Sequence, residues 1–203
     1  MTGLVFVDTN VLLYAIDTHD AHKHRQARDW INRLWRERNG RTSVQVLSEY
    51  YVHATRVSSA PLSREKAWEQ VVAFYEWQPK AVDTELLESG RRIQDRYRLN
   101  WWDSLVVAAA HALGCAMLLS EDMQHGAVYS GVTCMNPFRT GMQESIEVYS
   151  PLAQPILRRG RGRFHAERTE RLSPFVFADG KMNPPPCAFI ASEHPDDSQQ
   201  GCR

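Results

Sequence analysis

The chain lacks an excess of charge. Its 24 Lys and Arg balance 24 Asp and Glu over 203 residues, giving a formal net charge of +0. A global field that would gather nucleic acid or an anionic membrane is therefore excluded, and phosphate binding would need a local basic patch. Cysteine is scarce. Cys115, Cys134, Cys187 and Cys202 show no CxxC spacing and no disulfide framework, a usage that suits a reducing compartment. Cys115 and Cys134 lie in apolar stretches and read as core thiols. Long hydrophobic runs are missing too. The longest, Leu105 to Leu119, is interrupted by His111 and Gly114 and falls short of the roughly 20 apolar residues that span a bilayer. No basic segment followed by an apolar run opens the chain, and no internal repeat is visible. These absences point to a soluble, cytoplasmic protein without a membrane partner.

What is present is an alternation of short apolar runs and amphipathic stretches. Leu4–Val7 reads as a buried parallel strand, and Asp8-Thr9-Asn10 as cap residues for a short helix, Val11–Ile16. A charged amphipathic helix follows over His22–Arg38, with Gly40 as its stop. A minimal strand at 41–43 leads to a helix over 44–57. Ser58–Leu62 is a linker, and Ser63 caps a helix running to Trp77. Lys80–Val82 is a short strand, Thr84–Leu99 a helix, and Asn100 caps another reaching His111. Met117–Leu119 and Val132–Met135 are the last strands. Strands alternating with helices imply an α/β fold with a central parallel sheet, whose sites form at the carboxyl ends of the strands. Apolar periodicity fades from about residue 140. The chain divides into a domain at 1–139 and an irregular or disordered extension at 140–203, containing the basic run Arg158–Arg163.

Four carboxylates stand near the ends of these elements: Asp8, Glu49, Asp103 and Asp122. Buried and unpaired they would be costly, whereas converging they would form an oxygen cage for a hard divalent cation. Each also has an ordinary role open to it. Asp8 can cap a helix, and Asp103 can form a capping box with Asn100. Asp122 can cap the Met123–Gly126 loop. Glu49 falls outside the apolar arc of Val44, Leu47, Tyr51 and Val52, as a solvated surface charge would. The case for a site rests on the set.

Four segments carry a family resemblance: Val5-Phe6-Val7-Asp8-Thr9-Asn10, Ser43-Val44-Gln45-Val46-Leu47-Ser48-Glu49-Tyr50, Trp102-Asp103-Ser104-Leu105-Val106 and Leu118-Leu119-Ser120-Glu121-Asp122. In this order the chain resembles a PIN-domain ribonuclease of the VapC type, the toxin of a bacterial toxin–antitoxin pair. The resemblance implies a three-layer α/β/α fold and a Mg²⁺- or Mn²⁺-dependent endoribonuclease. It casts Asp8, Glu49, Asp103 and Asp122 as the catalytic, metal-binding acids and Asn10 as a supporting hydrogen-bond partner, with Glu121 able to replace Asp122. It further implies an RNA substrate, a cognate antitoxin and a homodimer, with water as the nucleophile activated by the metal. A non-catalytic RNA- or protein-binding adaptor, and a nuclease acting on single-stranded DNA, are the competing functions.

Other residues have double readings. Trp101 and Trp102 could stack on a base, although at least one should pack in the core. Trp30, Trp35, Tyr50 and Tyr51 could form a partner face but read mostly as core. His19, His22 and His24 read as a polar loop and helix start, with His22 and His24 exposed. His125 could meet a substrate phosphate or be a loop residue. Arg91, Arg92, Arg96 and Arg98 could line an RNA path or form a solvated face pairing with Glu88 and Asp95.

Overall fold

The computed structural model describes residues 3–56 and 61–139, and the backbone of two short strands at 176–178 and 181–183. The expected irregular extension, with its basic run, otherwise lies outside the described residues.

Strand β1 is Val5–Val7, with all three side chains buried. Helix α1 spans Thr9–Tyr14 and starts earlier than its apolar pattern suggests, because the Asp8 carboxylate accepts from the Thr9 N–H and caps it directly. Helix α2 spans Ala21–Glu37, capped by Asp20 through the N–H groups of His22 and Lys23. Gly40 does not stop this helix. Arg38 does, at φ 55°, and Gly40 sits in strand β2, Gly40–Arg41. Helix α3 is Val44–Arg56 and α4 is Arg64–Ala73. The helix expected to run on to Trp77 tightens instead into a 3-10 turn over Phe74–Trp77. The strand expected at Lys80–Val82 shrinks to one parallel bridge between Ser43 and Lys80. Helices α5, Thr84–Tyr97, and α6, Trp101–Ala112, precede β3, Met117–Leu119. Strand β4, Val128–Tyr129, is an addition to the elements expected from sequence. It pairs antiparallel with β5, Val132–Met135, across Ser130 and Gly131, whose φ values of 49° and 84° suit the tight turns that hairpins favour.

The sheet order is β2-β1-β3-β5-β4, with the first four strands parallel. From β1 the chain crosses to β2 on one side and later returns as β3 on the other, so the order reverses between β1 and β3. That reversal leaves a crevice at the carboxyl ends of these strands, where Asp8 and Ser120 stand. The Asp8 N–H donates to Leu119 O at 3.0 Å, tying the two strand ends together. The core joins Phe6, Leu118 and Leu119 of the sheet to Trp30, Leu34, Tyr50, Phe74 and Trp77 of the helical layers. Trp30 and Tyr50 are thus core rather than partner face, and Trp35 packs beside Phe74 and Trp77 at ring separations of 6.0 and 5.3 Å. Exposed apolar side chains include Trp68, Val72 and Tyr75 on α4 and the 3-10 turn. Among the described residues no helix is long and apolar enough to cross a membrane.

Gly40 is where close packing requires a glycine. A Cβ there would lie 2.6 Å from Cε2 of the buried Trp77 ring. Gly90 in α5 presents the opposite case, since its Cβ would meet Leu105 Cδ2 at 2.7 Å, the movable tip of a flexible side chain. Gly40→Ala is therefore expected to lower unfolding free energy by about 1–3 kcal/mol. Gly90→Ala, offset by the gain of roughly 1 kcal/mol from replacing a mid-helix glycine, should stay near wild type. Urea denaturation of both variants measures the difference, and equal costs would refute the packing account.

Candidate active site

Asp8 is set by two local choices. The apolar strand before it forces burial, and helix α1 after it needs a cap. Its side chain is 8 % exposed and fully engaged. Oδ1 accepts from the Thr9 N–H at 2.7 Å, while Oδ2 accepts from Ser120 Oγ at 2.8 Å and Asn10 Nδ2 at 3.2 Å. Burial pushes its carboxyl from the usual 3.8 up to about 6, against the Ser120 and Thr9 hydrogen bonds, and the charges of Glu49 and Asp103 push the same way.

Glu49 is not a solvated surface charge. The buried face of α3 is Val46, Leu47, Tyr50 and Ala54, whereas Val44 and Val52 are exposed. On this corrected face Glu49 flanks the core and points toward α1. Thr9 Oγ1 donates to its Oε2 at 2.7 Å, and Gln45 Nε2, one turn earlier, donates to Oε1 at 3.0 Å. Asp103 does engage in capping. Asn100 Oδ1 accepts from the Asp103 N–H at 2.9 Å, and Asn100 Nδ2 donates to Asp103 Oδ2 at 2.7 Å. The cap holds the carboxylate without neutralising it. Partial burial, then Asp122, and more weakly Glu49 raise the Asp103 pKa, while the Asn100 hydrogen bond lowers it.

Asn10 joins the first acid to the fourth. Its Nδ2 lies 3.0 Å from Asp122 Oδ2 and 3.3 Å from Ser120 Oγ, as well as within reach of Asp8. Its Oδ1 accepts from the Glu121 N–H at 3.2 Å. Glu121 itself turns away. Its carboxylate pairs with Lys23, whose ammonium also donates to Tyr14 Oη at 3.0 Å and lies 4.5 Å from the Tyr14 ring centre. Asp122, not Glu121, therefore faces the other acids.

Asp8, Glu49, Asp103 and Asp122 line one pocket of about 700 Å³, together with Asn10 and Gln45. No Lys or Arg is among its lining residues. Four carboxylates without a cationic partner form a hard, oxygen-only donor set, the chemistry that Mg²⁺ or Mn²⁺ takes. The charges of Glu49 and Asp103, which add to burial in raising the Asp8 pKa, act with no Lys or Arg in the pocket wall. Among the described residues, however, no three His, Cys, Asp or Glu side chains are gathered tightly enough to hold an ion between them. Mg²⁺ keeps several waters and binds through one or two carboxylates, so the donor set fits such an ion without a closed cage.

Sequence reasoning did not assign Thr9, Gln45 and Ser120, which orient the acids. Gln45 carries a signal, one helical turn before Glu49. Ser120 carries another, a polar residue ending a fully apolar strand. His125 does not line the pocket. Its Nδ1 accepts from the Asn136 N–H at 3.1 Å. His24 is only half exposed, its Nδ1 lying 3.0 Å from Tyr14 O. Arg91 pairs with Asp95 along α5, as a solvated face would.

No curated protein matches the chain at a significant level. Among solved structures, Mycobacterium tuberculosis VapC20, described as a sarcin-ricin loop cleaving toxin, is similar at 20% identity. The likeness covers 56% of this chain and 86% of that one with a TM-score of 0.43, too low to carry a functional argument. The PIN domain matches residues 5–129, more than half of the chain, and on that extent the protein belongs to the PIN-domain family.

Proposed function

We propose that this protein is a divalent-metal-dependent endoribonuclease, the VapC-type toxin of a toxin–antitoxin pair, with Asp8, Glu49, Asp103 and Asp122 as its catalytic acids. The observation that carries this reading is their convergence, without a cation among them, in one pocket at the switch point of a PIN-domain sheet. When bound, Mg²⁺ or Mn²⁺ would supply an activated water and neutralise charge on the phosphate. Asp8 and Asp103 are the residues we assign to hold it. Asn10 orients Asp8 and Asp122, and Thr9 with Gln45 fixes Glu49, so that each carboxylate enters the reaction already aimed.

The remaining assignments follow from this reading. Residues 1–139 form the nuclease unit, 140–203 is an extension outside the chemistry, and the protein acts in the cytoplasm. Its partners are RNA, a cognate antitoxin and a second copy of itself. The exposed Trp68, Val72 and Tyr75 offer an apolar surface for one of the protein partners.

One observation favours a second reading, a non-catalytic adaptor: no closed metal cluster exists among the described residues. Incubation of the full chain with a structured RNA pool separates the two. Discrete fragments that require Mn²⁺ or Mg²⁺ and vanish with EDTA or with Asp103→Asn are expected. Binding without cleavage would replace the nuclease by the adaptor. Cleavage of single-stranded DNA at an equal rate would remove the restriction to RNA.

A further inference from the structure

The cap that aims Asp103 also separates the two tryptophans before it. Trp101 packs partly into the core, while Trp102 does not join it and stands 60 % exposed. Trp102 nevertheless lines the same pocket as the four acids and is adjacent in sequence to Asp103. An indole left in water forgoes the burial that large aromatics ordinarily gain. From α3, Ser48, Val52 and His53 line the same pocket, with Val52 44 % exposed. The pocket, at about 700 Å³, has room beyond what an ion and a phosphate need.

Electrostatics sharpens the point. The pocket wall carries four carboxylates and no Lys or Arg, so beyond the one phosphate that a bound ion would hold, its charges cannot seat a strand there. Stacking on an aromatic face can, because every base has a π-face and the contact is indifferent to backbone charge. We propose that Trp102 is the stacking platform for an unpaired nucleobase next to the scissile phosphate. The part of the pocket that Trp102 lines is then a base subsite. The inference rests on the nuclease reading and adds a substrate requirement to it. The nucleotide beside the cut must be unstacked, so duplex RNA is a poor substrate.

The test measures binding and turnover apart. In an Asp8→Asn background with Mg²⁺, the affinity of a short single-stranded RNA is compared for Trp102, Trp102→Phe and Trp102→Ala. Trp102→Ala should weaken binding by roughly 5- to 100-fold, and Trp102→Phe by much less. Replacing the critical nucleotide by an abasic one should erase the difference between Trp102 and Trp102→Ala. With Asp8 intact, KM should rise in Trp102→Ala more than kcat falls. An exposed side chain leaves folding intact, which a thermal melt of each variant verifies.

Unchanged affinity and KM in Trp102→Ala, while metal-dependent cleavage persists, overturns the base subsite and leaves the nuclease standing. The same holds if Trp102→Ala alters only the oligomeric state, which would place Trp102 in a protein interface. Weakened, base-dependent binding in a protein that never cleaves supports the subsite and removes the nuclease.

Discussion

Asp8→Asn is expected to abolish metal-dependent cleavage and, at the same time, to make the metal-free protein more stable at neutral pH. Loss of activity by a factor of roughly 1,000 or more follows if Asp8 both binds the ion and shapes the site, since removing a group that acts within such a unit costs about that much. The stability gain follows from linkage. Asp8 has a folded-state pKa raised from 3.8 to about 6, with burial as the chief cause. A group whose pKa is raised on folding contributes stability that is present below the unfolded value and is lost as pH rises through the folded value. Between about pH 4 and pH 6 the folded protein therefore loses roughly 3 kcal/mol through Asp8 alone. An asparagine side chain carries no charge to desolvate and caps a helix as well as aspartate does. Its amide cannot accept from Ser120 and Asn10 as the carboxylate does, which returns about 1 kcal/mol. A net gain of about 1–2 kcal/mol at pH 7.5 remains.

The pH dependence makes this distinctive. Below about pH 4 Asp8 is protonated in both states, the penalty vanishes, and Asp8→Asn should lose its advantage or fall slightly below wild type. Denaturant midpoints of both proteins in EDTA, measured from about pH 4 to pH 8, should cross within that window. Adding Mn²⁺ at neutral pH should stabilise wild type but not the variant, because the ion supplies a countercharge that the neutral amide no longer needs. An Asp8→Asn protein less stable than wild type at every pH would show that the carboxylate is structurally satisfied.

Much of this is legible in the residues because burial and capping are local. Leu4–Val7 announces a strand and Asp8 its cap, and Asn100 before Trp101 announces both α6 and the hydrogen bond to Asp103. Glu49 misleads for a physical reason. Its helix carries apolar residues on two sides, and the arc drawn through Val44, Leu47, Tyr51 and Val52 mixes buried Leu47 and half-buried Tyr51 with Val44 and Val52, which face solvent. Only tertiary packing of α3 against α1 decides which apolar arc is inside. Gly40 misleads likewise. A glycine after a helix suggests a stop, but Arg38 adopts the left-handed conformation, and Gly40 is required by Trp77, far along the chain. The β4–β5 hairpin is signalled by Ser130-Gly131 yet has only two residues in its first strand, too few for any periodicity.

The choice between Glu121 and Asp122, which adjacency in sequence leaves open, leads to the second large effect. Asp122→Asn is expected to lower kcat by roughly 100-fold or more, within the range for a group that holds an ion or orients a nucleophile. Glu121→Gln should lower it by no more than a few-fold. The grounds are geometric. Asp122 receives the Asn10 amide at 3.0 Å, raises the Asp103 pKa through its charge, and lines the pocket. The Glu121 side chain is instead committed to Lys23, and only its backbone N–H reaches the site, through Asn10 Oδ1 at 3.2 Å. Glu121→Gln keeps that N–H but leaves the Lys23 ammonium half-buried without its carboxylate. Its cost should therefore appear as lower thermal stability with kcat nearly intact. Initial-rate assays and melts on the two variants give both quantities. If Glu121→Gln proves the more damaging to kcat, the fourth acid is Glu121. Lys23 would then have to release it when the ion binds.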